Sequence, residues 1–257
     1  MRSFRQTAIL LCLTTVFFCN LASSQKVRPV VKSKQMSKSP QIVGTYGIVI
    51  DERLSVLRSE PSFFSREIQR MRLGRNVYIS GVKQNEGVTF YKVTAIPNFY
   101  GWVQSDAIVS KNNPGDDERL AKIVQAIDAF DQIELASMFL DTFTKSSFRP
   151  AILLLYGDLI EEQARKLSTD ANKRLIRREM AATVAPLHSF YLNYVGLDRF
   201  RKLDIVFLFN VETKQFHYNG KSWDELIKKY PNSQEAIEAK KRIESLNEKL
   251  ESPVPKK

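Results

Sequence analysis

The chain has few of the side chains that do chemistry. Its 257 residues include two cysteines and two histidines, and both cysteines, Cys12 and Cys19, lie in an apolar N-terminal run. Removal of that run on export leaves no thiol, which excludes disulfides, thiolate metal sites and a cysteine nucleophile together. His188 and His217 stand outside any His-Glu-x-x-His spacing that would put two ligands on one helical face. There is no Gly-x-Ser-x-Gly elbow, no Ser-x-x-Lys box with its partner motifs and no phosphate-cradling glycine loop. Carboxylates remain. Asp158, Glu161 and Glu162 share one apparent helix, where solvation or pairing with Arg165 at helical spacing accounts for them. The sequence therefore reads as a non-enzyme without metal or cofactor.

What is present is an ordinary globular composition, 43% hydrophobic and 26% charged, in a chain long enough to hide about 70–75% of its unfolded surface. Met1 to Arg5 carries two positive charges, and no charged residue follows until Lys26. A basic start, an apolar run and the small residues Ala22, Ser23 and Ser24 make a secretory leader, with cleavage before Gln25. An uncleaved membrane anchor is the alternative, but the apolar run is shorter than the ~20 residues a spanning helix needs. Phe18 stands before Cys19 where a lipidated cysteine wants a small neighbour.

The net charge of +11 is unevenly spread. Residues 25–43 hold Lys26, Arg28, Lys32, Lys34 and Lys38 with no acid, plus Pro29 and Pro40, which reads as a solvated, disordered linker. Such a tail attracts anionic lipid headgroups or wall polymers through a screened field. Export makes nucleic acid the least fitting partner. Contact with a membrane would come only through the N-terminal segment or this tail.

From Gly44 the pattern becomes β. The runs 46–50, 54–57, 76–79, 89–93 and 101–103 are rich in β-branched and aromatic residues and are separated by Gly74, Gly81, Asn85, Gly87 and Pro97. Five short strands in residues 44–112 predict a small closed or nearly closed barrel. Aromatic side chains there offer flat binding faces: Tyr91, Phe99, Tyr100 and Trp102, rimmed by Arg58. Phe63 and Phe64 are adjacent and cannot both point inward from an extended chain, so one of them is a further contact. The candidate ligand residues are Arg58, Phe63, Tyr91, Tyr100 and Trp102.

Leu54-Ser55-Val56-Leu57-Arg58-Ser59-Glu60-Pro61 is similar to the opening strand and turn of bacterial Src-homology-3-like (SH3-like) domains of exported proteins. Arg72-Leu73-Gly74-Arg75-Asn76-Val77 resembles their second strand. Phe90-Tyr91-Lys92-Val93 resembles the central strand, and Gly101-Trp102-Val103-Gln104-Ser105-Asp106 the closing signature. The resemblance covers about a quarter of the chain and implies binding of peptides, cell-wall fragments or neighbouring domains rather than catalysis.

Residues 113–250 read as helical. Asp116 and Asp117 suit a helix start after Pro114-Gly115, and Leu120, Ile123, Val124 and Ile127 recur at helical spacing, as do Leu135, Met138, Phe139 and Phe143. Pro150 opens a helix through Leu167, and Thr169-Asp170 predicts the cap of a separate one ending before Pro186. The apolar stretch 205–209, with 216–220 behind it, fits either a buried helix or a strand-like excursion. Tyr230-Pro231-Asn232-Ser233 with Ala236 and Ala239 resembles the turn of tetratricopeptide-like helix pairs in envelope proteins. That resemblance implies stacked pairs, with either a concave protein-binding surface or a compact bundle.

The expected protein is thus α+β and multidomain: leader 1–24, linker 25–43, five-stranded SH3-like β-barrel 44–112, all-α tetratricopeptide-like domain 113–250, disordered tail 251–257. Its expected role is non-catalytic binding of a peptidoglycan-type or protein partner in the periplasm or envelope. Two alternatives stand beside it: a wall hydrolase or lyase using carboxylates of the helical region, and a scaffold whose barrel has no ligand.

Overall fold

A computed structural model describes residues 42–251 apart from 96, 97 and 176, all within one compact unit. The leader, the linker up to residue 41 and residues 252–257 lie outside the described residues. The fold is α+β.

Seven strands form one antiparallel sheet: β1 (Thr45–Val49), β2 (Val56–Arg58), β3 (Glu67–Arg70), β4 (Asn76–Asn85), β5 (Val88–Ala95), β6 (Phe99–Gln104) and β7 (Ile108–Val109). Their order is β3-β2-β6-β5-β4-β1-β7. The five expected strands are present as β1, β2, β4, β5 and β6. The closed five-stranded barrel is not. Two added strands lie at the ends of the sheet, and β3 and β7 each pair with a single neighbour, so the sheet stays open.

One face of the sheet is packed. Alternation in β4 buries Val77 and Ile79, and the matching residues Val93, Ala95 and Val103 complete a core with Leu57, Met71 and Ile108. Ile42 is buried in it as well. Gly101 is a packing requirement: a Cβ there would come within 2.5 Å of the Arg58 carbonyl oxygen, so β2 lies close over β6 only because that position is bare.

The sheet joins the helices at Ser110. Its amide donates to the buried Asp116 carboxylate at 2.8 Å, and Arg119 pairs with Asp116 at 3.1 Å while donating to the Asp106 carbonyl. Ile50 and Val109 from the sheet enter the hydrophobic core of the helices.

That part contains α1 (Asp116–Ala126), α2 (Ala129–Thr142), α3 (Arg149–Arg174), α4 (Arg177–Ala181), α5 (Leu187–Leu192) and α6 (Asp198–Arg201). A hairpin of β8 (Phe207–Asn210) and β9 (Gln215–Tyr218) follows, then α7 (Lys221–Lys229) and α8 (Gln234–Glu251). The region is therefore not all-α. The 205–209 stretch takes its strand form, and Phe209, Phe216 and Tyr191 pack as an aromatic group beneath it.

The long helix α3 packs against α2, β9, α7 and α8. It is one helix where the sequence predicts two. The Ser168 hydroxyl bonds back to the Ala164 carbonyl at 2.7 Å and accepts the Phe216 amide, and Thr169 bonds back to Arg165. The hydroxyls that suggested a cap are thereby used inside the helix. Gly157 lets α7 sit close: a Cβ there would meet the Trp223 indole nitrogen at 2.3 Å.

Candidate functional site

The other face of the sheet leaves side chains of its central rows exposed, and register defines what it presents. Tyr46 pairs with Tyr78, Tyr78 with Thr94, and Thr94 with Tyr100, so four neighbouring strands contribute one row. Tyr46 is 65% exposed, Tyr78 39% and Tyr100 72%. The Tyr46 and Tyr78 rings meet edge to face at 5.4 Å. The next row is Gly81, Lys92, Trp102 and Arg58, and the next Lys83, Phe90 and Gln104. Trp102 is half-buried there, and Lys83 and Lys92 are exposed.

The sequence candidates divide on this face. Arg58, Tyr100 and Trp102 lie on it. Phe63 joins at one end, where the loop between β2 and β3 folds over the sheet and sets its ring 5.4 Å from that of the buried Phe90. Glu86 anchors that loop by accepting from the Ser62 hydroxyl and the Phe63 amide, and Asn85 donates to the Pro61 carbonyl at 2.9 Å. Phe64 at the tip is 92% exposed.

Arg58 is less available than its sequence position suggests. Its guanidinium is largely buried, paired with Glu67 at 3.1 Å and donating to the Ser65 carbonyl, so it holds the loop. Tyr91 leaves the group altogether. It pairs with Val103 on the packed face and is 8% exposed. Burial pushes its hydroxyl above the usual tyrosine range, with the Asp116 charge adding to the effect. Tyr46 and Tyr78 are the residues sequence reasoning missed. The signal was their phase: both are out of step with the apolar Val49, Val77 and Ile79 of their strands.

A second constellation lies in a cleft of about 480 Å³ between α3 and α8, floored by β9 and Trp223. Glu161 accepts from the Tyr218 amide at 2.8 Å, and its carboxylate lies 3.1 Å from both His217 Nδ1 and Lys249 Nζ. Arg242 bridges α8 to Asp158 at 3.0 Å. Burial pushes the Glu161 carboxyl up, but hydrogen bonds from His217, the Tyr218 amide and Lys249 outweigh it and hold the group below the usual carboxylate range. Glu162 pairs with Arg165 at 2.7 Å, as its spacing indicated. Here the charges satisfy one another across the cleft and tie three elements together.

A third place, a cleft of about 830 Å³, lies where residues 50–53 and 72–73 meet α1 and α2. Burial raises the Glu134 carboxyl there, and the charges of Asp131 and Glu52 raise it further. Among the described residues no cluster of three or more His, Cys, Asp or Glu is placed to hold a metal ion, and no helix is long and apolar enough to cross a membrane. Compared with known proteins, the chain matches no family model, no curated protein and no solved structure.

Proposed function

We propose that the protein is an exported, non-catalytic envelope protein that holds a cell-wall component or a protein partner on the open face of its sheet. The leader pattern supports export. The four ordered motifs support an SH3-like ancestry for the sheet, and the Tyr230-Pro231-Asn232-Ser233 turn between α7 and α8 supports a tetratricopeptide-like character for the helices. The observation that carries the reading is the row of exposed tyrosines at Tyr46, Tyr78 and Tyr100 beside Trp102. Rigid aromatic faces left in water on a folded sheet are the usual anchors of recognition.

Co-sedimentation with purified peptidoglycan sacculi at low and high salt tests this, using the chain from residue 25 and one from residue 42. Pelleting that survives both salt and loss of the tail is the expected result. Pelleting lost with the tail would reduce wall binding to charge.

A second reading, wall hydrolysis by carboxylates of the helical region, rests on Glu134, whose raised carboxyl beside Asp131 and Glu52 in a cleft is the kind of group a general acid needs. A lytic band on a sacculus-containing gel that disappears in Glu134→Gln would establish it in place of the binding role.

A further inference from the structure

We infer that the open face of the sheet binds an acidic glycan, a sugar chain carrying carboxylate or phosphate groups, laid across β1, β4, β5 and β6. The inference rests on reading this face as the binding surface, and it names the chemistry of the ligand.

A peptide recruited as an added strand would pair at an edge of the sheet and would not lie across this face. β4 pairs with β1 and β5, β5 with β4 and β6, and β6 with β5 and β2. β5 is paired on both sides from Phe90 to Ala95, β4 meets β1 only over Asn76–Ile79 and β6 meets β2 only at Trp102, and strand addition uses an unpaired edge in the plane of the sheet rather than its face. None of the clefts described above is lined by Tyr46, Tyr78, Tyr100 or Trp102, so the face stands apart from them. The exposed rings are not coplanar, Tyr46 and Tyr78 standing edge to face, and the apolar C–H face of a pyranose ring packs on an exposed aromatic face.

The spacing is also suitable. Tyr78 and Tyr100 are two strands apart, ~9–10 Å at the usual interstrand distance, which is close to the length of a disaccharide. Thr94 lies between them in the same row and offers a hydroxyl.

Charge selects among sugars. β1, β4, β5 and β6 contain no aspartate or glutamate. Lys83 and Lys92 lie exposed on the open face, and among the described residues neither has an ion-pair partner. Two uncommitted ammonium groups beside aromatic rings complement an anion on the sugar.

Titration of the purified protein with oligogalacturonate, an uncharged chito-oligosaccharide and single-stranded oligo(dT) tests the inference, read by the fluorescence of its tryptophans. Oligogalacturonate is expected to bind, and Tyr46→Ala/Tyr100→Ala to weaken it by about tenfold or more with an unchanged circular dichroism spectrum. Tyr100→Phe keeps the ring and should keep the affinity. Lys83→Gln/Lys92→Gln should remove the preference for oligogalacturonate over the neutral oligomer.

No binding of oligogalacturonate, equal affinity for both sugars in the native protein, or tighter binding of oligo(dT) would overturn it. So would unchanged binding by the double tyrosine variant. Sacculus pelleting that persists in that variant would leave the envelope reading intact and sink the glycan face. Oligogalacturonate binding without any pelleting would do the reverse.

Discussion

Tyr46, Phe63, Phe64, Tyr78, Phe99 and Tyr100 stand at the surface of the sheet region, whereas Tyr191, Tyr194, Phe200, Phe216, Tyr218 and Trp223 of the helical region are buried among their neighbours. Charge is distributed the other way. Among the described residues, ion pairs concentrate in the helices, several of them linking one element to another, such as Arg149 with Glu225 at 2.6 Å and Arg242 with Asp158. In the sheet region the pairs among the described residues include Asp51 with Arg53 and Arg58 with Glu67. Helices that bury their rings and satisfy their charges are arranged for stability. A sheet that leaves rings in water and lysines unpaired gives up burial it could have had. Under the proposed function, the sheet would carry recognition and the helices support.

That division predicts unequal responses to mutation. Trp223→Ala, which empties a site 1% exposed at the junction of α3 and α7, should destabilise the protein by about 3–5 kcal/mol in denaturant titration and leave any residual folded fraction able to bind. Gly157→Ala should cost about 1–3 kcal/mol, because the added Cβ meets the indole at 2.3 Å and a helix-favouring residue cannot compensate for the clash.

Glu161→Gln should cost about 1–2 kcal/mol at neutral pH, discounted for the partial exposure of the site. Its carboxyl titrates lower in the folded protein than in the unfolded chain. The contribution is therefore complete above the unfolded value of about 4.3 and fades as pH falls through the folded value. Native and variant stabilities should converge in acid unfolding curves as pH falls below that folded value. A gap that stays constant with pH would remove the charge from the explanation. Tyr46→Ala and Tyr100→Ala belong at the small end, within about 0.5 kcal/mol of native stability. A cost of several kcal/mol at either tyrosine would mean that the open face is structural, and the contrast between the regions would fail.

Much of the fold was legible because local pattern and final structure agree. Val77, Ile79, Val93 and Val103 alternate as their strands require, and Leu120, Val124, Ile133 and Phe139 recur as buried helical faces. What escaped was decided at a distance. β3 is Glu-Ile-Gln-Arg, polar and mostly exposed, and becomes a strand by pairing with β2. Ser168 and Thr169 read as a cap, but Phe216, 48 residues on, donates its amide to the Ser168 hydroxyl and makes the continuous helix worthwhile.

The sites show the same division. Tyr100 and Trp102 are visible in a strand signature, while the row they extend depends on the register between β1, β4 and β5. Tyr91, one position out of phase with Lys92, goes to the core. Glu161 and His217 are 56 residues apart and meet only because β9 packs on α3.

The most direct test is fluorine NMR of the protein grown with fluorotyrosine, recorded with and without solubilised wall fragments. Nine tyrosines report at once. The resonances of Tyr46, Tyr78 and Tyr100 should move on binding while those of Tyr156, Tyr191, Tyr194 and Tyr218 stay in place. Shifts confined to the helical tyrosines, with the three sheet tyrosines unmoved, would contradict the division of labour.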